Sequence, residues 1–186
     1  MASPLEPGVL VVFPSRLGWM AMVGCGRALR QLTFGHRSAT QAMAALSWPA
    51  SREAEKGPWN PQLLARLQAY AAGAYDDFLD VEVDPGPQSD FRRRVMACCR
   101  RVPFGTTLTY GQLAAQAGVP GAARAVGRCM ATNPVPIIIP CHRVVAADGS
   151  LHGYSSPGGV RMKQRLLQWE AKRRRTNWPR IQQPDD

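Results

Sequence analysis

Cys141, His142 and Arg143 follow one another at the end of "PVPIIIPCHRVV", residues 134 to 145. A thiol becomes a nucleophile when a base or a positive charge stabilises its thiolate, and a histidine acting as that base needs a third group to fix its tautomer. Successive residues on a strand point to opposite faces, so His142 can serve Cys141 only if the chain turns there or a water bridges the two. The third group should be a carboxylate, and Glu170, inside "GGVRMKQRLLQWEAKRRR", is the one glutamate after Glu82. The plainer alternative is a structural cysteine, because a thiol in apolar surroundings has a raised pKa and is inert. His142 and Arg143 count against it, since each needs partners in a buried place.

Elements around the thiol follow from local rules. Pro134, Pro136 and Pro140 hold residues 133, 135 and 139 out of helix, which predicts an extended, buried run over 137–139. Upstream, "DFRRRVMACCRRV" (90–102) reads as a helix with one apolar and one basic side. "TYGQLAAQAG" follows, with Thr109 as N-cap and Gly118 as stop, and then "GAARAVGRCMATNP" ends at Asn133 and Pro134. Two short helices joined by a glycine-containing turn have the proportions of a helix-turn-helix, although ordinary helical hairpins share them. Ala122, Ala123, Ala125 and Gly127 bare the backbone of the second helix around a single long side chain, Arg124. That composition suits a minor groove or a shape-read contact, with the arginine free to enter a base stack. A tightly packed alanine-rich core helix with Arg124 in water is the alternative.

The amino-terminal part reads differently. "GVLVVFP", "LGWMAMVG" and "ALRQLTFG" are β-rich runs between turn residues, an antiparallel meander. "NPQLLARLQAYAAG" offers Asn60 as N-cap, Pro61 at the first helical position and Gly73 as a stop. "FLDVEVD" alternates like a last strand, and "DPGPQSD" reads as a linker. Net charge is +10, and residues 1–83 balance seven basic against seven acidic side chains, so residues 84–186 carry the entire excess. That asymmetry fits a polyanion-binding surface or a solvated basic face. The 45% hydrophobic content over 186 residues is enough for a real core. No leader is read at Met1 and no apolar run nears the ~18 residues that span a bilayer, so a soluble, intracellular protein is expected. Five cysteines without CxxC spacing point to reduced thiols.

"NPVPIIIPCHRVV" resembles the active-site signature of the O6-alkylguanine-DNA alkyltransferases, the methylated-DNA-protein-cysteine methyltransferases. The likeness extends to "PFGTTLTYGQLAAQAG", "AARAVGRCMATNP" and "GYSSPGGVRMKQRLLQWE", most of residues 91–171, and more weakly to "PSRLGWMAMVG" and "LRQLTFG". It implies a two-domain α/β fold: an amino-terminal mixed α/β, RNase H-like domain with antiparallel strands (1–83), a linker (84–90), a mainly helical winged-helix, helix-turn-helix domain (91–171) and a basic tail (172–186). It also implies a monomer that binds double-stranded DNA carrying O6-alkylguanine through the minor groove, flips the damaged base and moves its alkyl group to Cys141 once and irreversibly. The resemblance leaves open whether O4-alkylthymine is accepted too, and it implies a place of action that is cytoplasmic, or nuclear in a eukaryote.

On the same resemblance His142 is the base through water, Glu170 orients it, and Asn133 holds the hydrogen-bond network. Tyr110 donates to the departing guanine and helps turn the nucleotide. Arg124 fills the gap left by the flipped base, with Thr109, Tyr110, Ala122, Ala123, Ala125 and Gly127 at the DNA. Val144 offers its carbonyl to the guanine amino group, while Tyr154, Ser155 and Lys163 belong to the substrate pocket. "YSSPGGVRM" is two residues longer than the family form. No cofactor is expected, and no zinc, since Cys25 has no nearby histidine partner and His36 alone is not a site. Rival readings are a homologue that recognises alkylguanine without repairing it, a Cys-His-Glu thiol hydrolase, and a plain helix-turn-helix regulator.

Overall fold

The computed structural model describes residues 8–46 and 54–177, with side chains placed up to residue 173. Strands β1 (Val9–Ser15), β2 (Gly18–Cys25) and β3 (Ala28–His36) form the expected antiparallel meander. Helix α1 (Ala39–Ala44), capped by Ser38, and the short strand β4 (Glu55–Lys56), parallel to β1, complete a sheet of order β3-β2-β1-β4. Central strand β2 is buried on both faces. Ala21 and Val23 join Leu10 and Ala42 of α1, whereas Met20 and Met22 face Leu63 and Leu67 of helix α2 (Pro61–Ala71). Asn60 caps α2 by accepting from the Leu63 amide at 3.0 Å.

The segment read as a last strand, "FLDVEVD", is instead an irregular crossing with one bridge, Leu29 to Val83. Two arginines explain this. Arg66 forks Asp76 and Asp80 at 2.7 Å each, and Asp76 accepts from the Phe78 amide, whose φ is 53°. Arg100 then takes the carbonyls of Phe78, Leu79 and Val81, acceptors a ladder would have used.

Helices α3 (Asp90–Arg100), α4 (Tyr110–Gln116) and α5 (Ala123–Ala131) build a second core from Val95, Met96, Cys99, Leu113, Ala114, Val126, Cys129 and Met130. Thr109 caps α4 in a capping box with Gln112. A turn containing Gly118 and Gly121, both left-handed, leads into α5. Strands β5 (Leu108–Thr109) and β6 (Val144–Val145) pair in parallel beneath this trio. Helix α6 (Gly159–Asn177) closes the fold and carries Lys172 and Arg173; the rest of the basic tail, 178–186, lies outside the described residues.

The first core reaches past residues 84–90, because Val135, Ile137, Ile138 and Leu166 pack among the side chains of β2, β3 and α2. The fold is thus mixed α/β, with an antiparallel-dominated sheet and a helical carboxy-terminal region. Among the described residues no helix is long and apolar enough to cross a membrane.

Candidate active site

Residues 134–140 do not run extended. Ile139 donates to the Val135 carbonyl at 2.9 Å, and Ile137 takes φ 75°, a left-handed conformation that is costly for a β-branched residue. Asn133 holds the turn: its side-chain oxygen accepts from the Val135 amide (3.0 Å), and its Nδ2 donates to the Ile139 carbonyl (2.8 Å) and to Cys141 Sγ (3.2 Å). After Pro140 the chain winds into a 3-10 turn, Cys141–Arg143, so the thiol and its two neighbours leave the backbone in different directions.

Cys141 and His142 are buried, as are Asn133, Arg143, Lys163 and Glu170. Burial pushes the Cys141 thiol up, while the Asn133 donor, the Lys163 charge and the Tyr154 hydroxyl pull the other way. Tyr154 Oη is itself buried and makes no hydrogen bond at full geometry among the described residues, so its dipole rather than a formed bond favours the thiolate. Lys163 Nζ donates to the Val144 carbonyl at 2.6 Å and lies 5.7 Å from the Tyr110 ring centre; burial lowers its pKa. Half-buried Tyr110 opens α4 against Gly127 of α5, and burial, with Cys141 close by, raises its phenol.

His142 turns toward Glu170, with Nε2 2.8 Å from Oε1. That carboxylate is a hub. Oε1 also accepts from Tyr70 Oη (2.7 Å) and Arg143 Nη2 (2.8 Å), and Oε2 from Arg143 Nε (2.9 Å) and the Gly105 amide (3.0 Å). Burial opposes ionisation, yet the contacts from His142 and Arg143 hold the carboxyl well below the usual range. Burial lowers the His142 pKa in spite of Glu170, which favours the neutral imidazole, and Arg143 supplies a permanent positive charge opposite the carboxylate. An ionised carboxylate only accepts, so Nε2 carries the proton and the lone pair lies on Nδ1. Nδ1 is buried and makes no hydrogen bond among the described residues.

The structure therefore brings Cys141, Asn133, Val144, Tyr154, Lys163 and Tyr110 together, and links His142 to Glu170. Exposed Ser155 lines, with Asn133, Pro136 and Ser156, a cleft of about 320 Å³. Arg124 is exposed on α5, away from the thiol's contacts, with half-buried Ala122, Ala123, Ala125 and Gly127 around it; Thr109 is half-buried at the cap of α4. Sequence reasoning assigned nothing to Tyr70 or the Gly105 amide, and left Arg143 without a partner. None of the five cysteines is in a disulfide, and among the described residues no group of three or more His, Cys, Asp or Glu could hold a metal.

A buried thiol packed against a trio of short helices, with a carboxylate-held imidazole next to it in the chain, defines a protein built for thiol chemistry. Residues 90–172 match the family described as 6-O-methylguanine DNA methyltransferase, DNA binding domain. The methylated-DNA–protein-cysteine methyltransferase of Mycobacterium tuberculosis is 47% identical over 108 residues, 58% of this chain and 63% of that protein, so this chain spans less than two thirds of the mycobacterial relatives. The mouse protein of the same name is 40% identical over 171 residues, 86% of this chain and 79% of that one. A crystal structure of the M. tuberculosis O6-methylguanine methyltransferase superposes with a TM-score of 0.73 at 34% identity, covering 89% and 94% of the two chains. Another, of the mycobacterial protein in complex with DNA, has the same score. The chain belongs to the methylated-DNA–protein-cysteine methyltransferase family.

Proposed function

We propose that this chain repairs DNA by transferring the alkyl group of O6-alkylguanine, methyl above all, to Cys141 in a single irreversible event. The observation that carries it is the buried Cys141 thiol, which accepts from Asn133, followed in the chain by a His142 whose Nε2 meets Glu170 and whose Nδ1 makes no hydrogen bond among the described residues.

Burial keeps the resting thiol protonated, so attack needs a base. His142 Nδ1 takes the proton through a water, and Glu170 steadies the imidazolium. Cys141 Sγ forms the bond to the alkyl carbon as the carbon–O6 bond breaks, and the electron pair stays on the guanine. Tyr110 supplies the proton the guanine anion takes up. The thioether has no good leaving group, so each molecule acts once.

The helix-turn-helix enters the minor groove as a monomer. Ala122, Ala123, Ala125 and Gly127 allow the backbone close to the duplex, Thr109 and Tyr110 meet the strand, and Arg124 fills the space of the flipped base. Tyr154 and Ser155 line the pocket. The Val144 carbonyl reads the guanine amino group with the lone pair that Lys163 leaves. The division at 84–90 into a supporting and a reacting part, action on the DNA of cytoplasm or nucleus, and O4-alkylthymine as a second substrate belong to the same proposal.

Intact-protein mass spectrometry after mixing with a duplex carrying one O6-methylguanine tests it. A gain of one methyl that saturates at one per molecule and vanishes in Cys141→Ser is expected. Tight binding without any gain would replace transfer by damage recognition.

A further inference from the structure

Glu170 receives one donor from the amino-terminal part of the chain. Tyr70 ends the apolar stripe Leu63, Leu67, Tyr70 of α2, so by sequence it is a core residue. Its ring packs edge-on to Phe78 (5.6 Å) and Phe104 (6.3 Å), and its hydroxyl reaches Glu170 Oε1 at 2.7 Å, on the oxygen that also receives His142. The approach of α6 to α2 that permits this depends on Gly73. With φ 101°, it lies against Trp169, and a Cβ there would sit 2.6 Å from the indole nitrogen. A core tyrosine placed only for its ring would leave its hydroxyl on any acceptor. This one spends it on the carboxylate behind the base.

We propose that Tyr70 is a positioning residue for alkyl transfer: its hydroxyl fixes Glu170 Oε1 and draws off part of its charge, so that His142 stays neutral with its lone pair on Nδ1. The inference rests on the roles of Cys141, His142 and Glu170 in the proposed reaction. Other groups set the baseline. Glu170 is faced by Arg143 from the 3-10 turn, His142 and the Gly105 amide, and the charges that act on His142 are Glu170, Arg143 and Lys163 of α6. Removing the Tyr70 hydroxyl leaves all of these in place. It concentrates negative charge on Oε1, favours the imidazolium, and moves the acid limb of transfer to higher pH.

The test is the single-turnover rate of methyl transfer against pH for the full chain with Tyr70→Phe, which keeps the ring packing. The acid limb should rise by about half to one pH unit, a fraction of what one hydrogen bond to a charged group sustains. Affinity for the damaged duplex, measured in a Cys141→Ser background, should be unchanged. Leu67→Ala, on the same face of α2 but with no polar group to offer Glu170, loosens the helix and should leave the limb in place. An unmoved limb in Tyr70→Phe, or an equal shift in Leu67→Ala, would overturn the inference. Glu170→Gln separates the two levels: if it transfers methyl at the normal rate, the reaction scheme itself fails. If it is slow while Tyr70→Phe keeps the native profile, only the role of Tyr70 fails.

Discussion

Arg143→Met should destabilise the protein strongly at neutral pH and much less in acid. The guanidinium makes two bonds to Glu170, at 2.9 and 2.8 Å, and one to the Val102 carbonyl at 2.7 Å, and it stacks 5.5 Å from the centre of Phe104. Methionine fills the volume but leaves a buried carboxylate without its cation, a loss of about 3–5 kcal/mol. In the native protein Glu170 has a folded pKa depressed below its unfolded value, so its contribution is present above the unfolded pKa of about 4.3 and fades as pH falls through the folded one. In the variant, burial is no longer offset by the guanidinium, and folding takes up a proton instead. The gap between the two proteins should therefore shrink on acidification from pH 6 to 4, by at most about 1.4 kcal/mol per pH unit for one proton. Urea unfolding followed by circular dichroism at several pH values measures it, with unchanged m-values as the control. A gap under about 1 kcal/mol at pH 7, or one that ignores pH, would refute the claim that Arg143 is what keeps Glu170 ionised.

Asn133→Ala removes the side-chain amide that donates to Cys141 Sγ and the brace of the 134–140 turn. The pH midpoint of Cys141 alkylation by iodoacetamide should rise and methyl transfer should slow about tenfold or more; an unchanged midpoint would show that Asn133 serves the turn alone. Arg124→Ala should leave stability within about 0.5 kcal/mol, since the side chain is exposed and makes no ion pair among the described residues. It should weaken binding to the damaged duplex without changing the salt dependence; a slope reduced by about one would make Arg124 a phosphate contact instead of a base-stack wedge.

What could be read in advance was whatever local chemistry decides. The β-rich runs of the antiparallel meander, the Asn60-Pro61 start of α2 and the Thr109 cap of α4 each act within a few residues, and each is where it was expected. The proline rules constrain residues 133, 135 and 139 but are silent on Ile137, the residue that turns. Its conformation is fixed from outside, by packing into the first core and by the Asn133 side chain spanning the loop. "FLDVEVD" has a strand's pattern and loses it to Arg66 and Arg100, whose reach no window of sequence contains. Within the site, Cys141, His142 and Glu170 stood out because a thiol, an imidazole and a lone glutamate are conspicuous. Tyr70 did not, because at its position an aromatic ring already satisfies the helix's apolar stripe.

The guanidinium that follows the thiol and the imidazole is accounted for by charge balance. A lone buried carboxylate facing His142 would draw a proton onto it, since an imidazolium–carboxylate pair is cheaper in a low-dielectric site than an unpaired anion. That histidine could orient a ligand but could not accept a proton. With Arg143 bound through two nitrogens, Glu170 is already neutralised by a cation that never titrates at physiological pH. Burial then lowers the pKa of the imidazole and favours its neutral form. Arg143 thus touches neither thiol nor imidazole lone pair, yet the basicity of Nδ1 depends on it. A lysine could not replace it, because one ammonium cannot hold both carboxylate oxygens and the Val102 carbonyl in the fixed geometry of the fork.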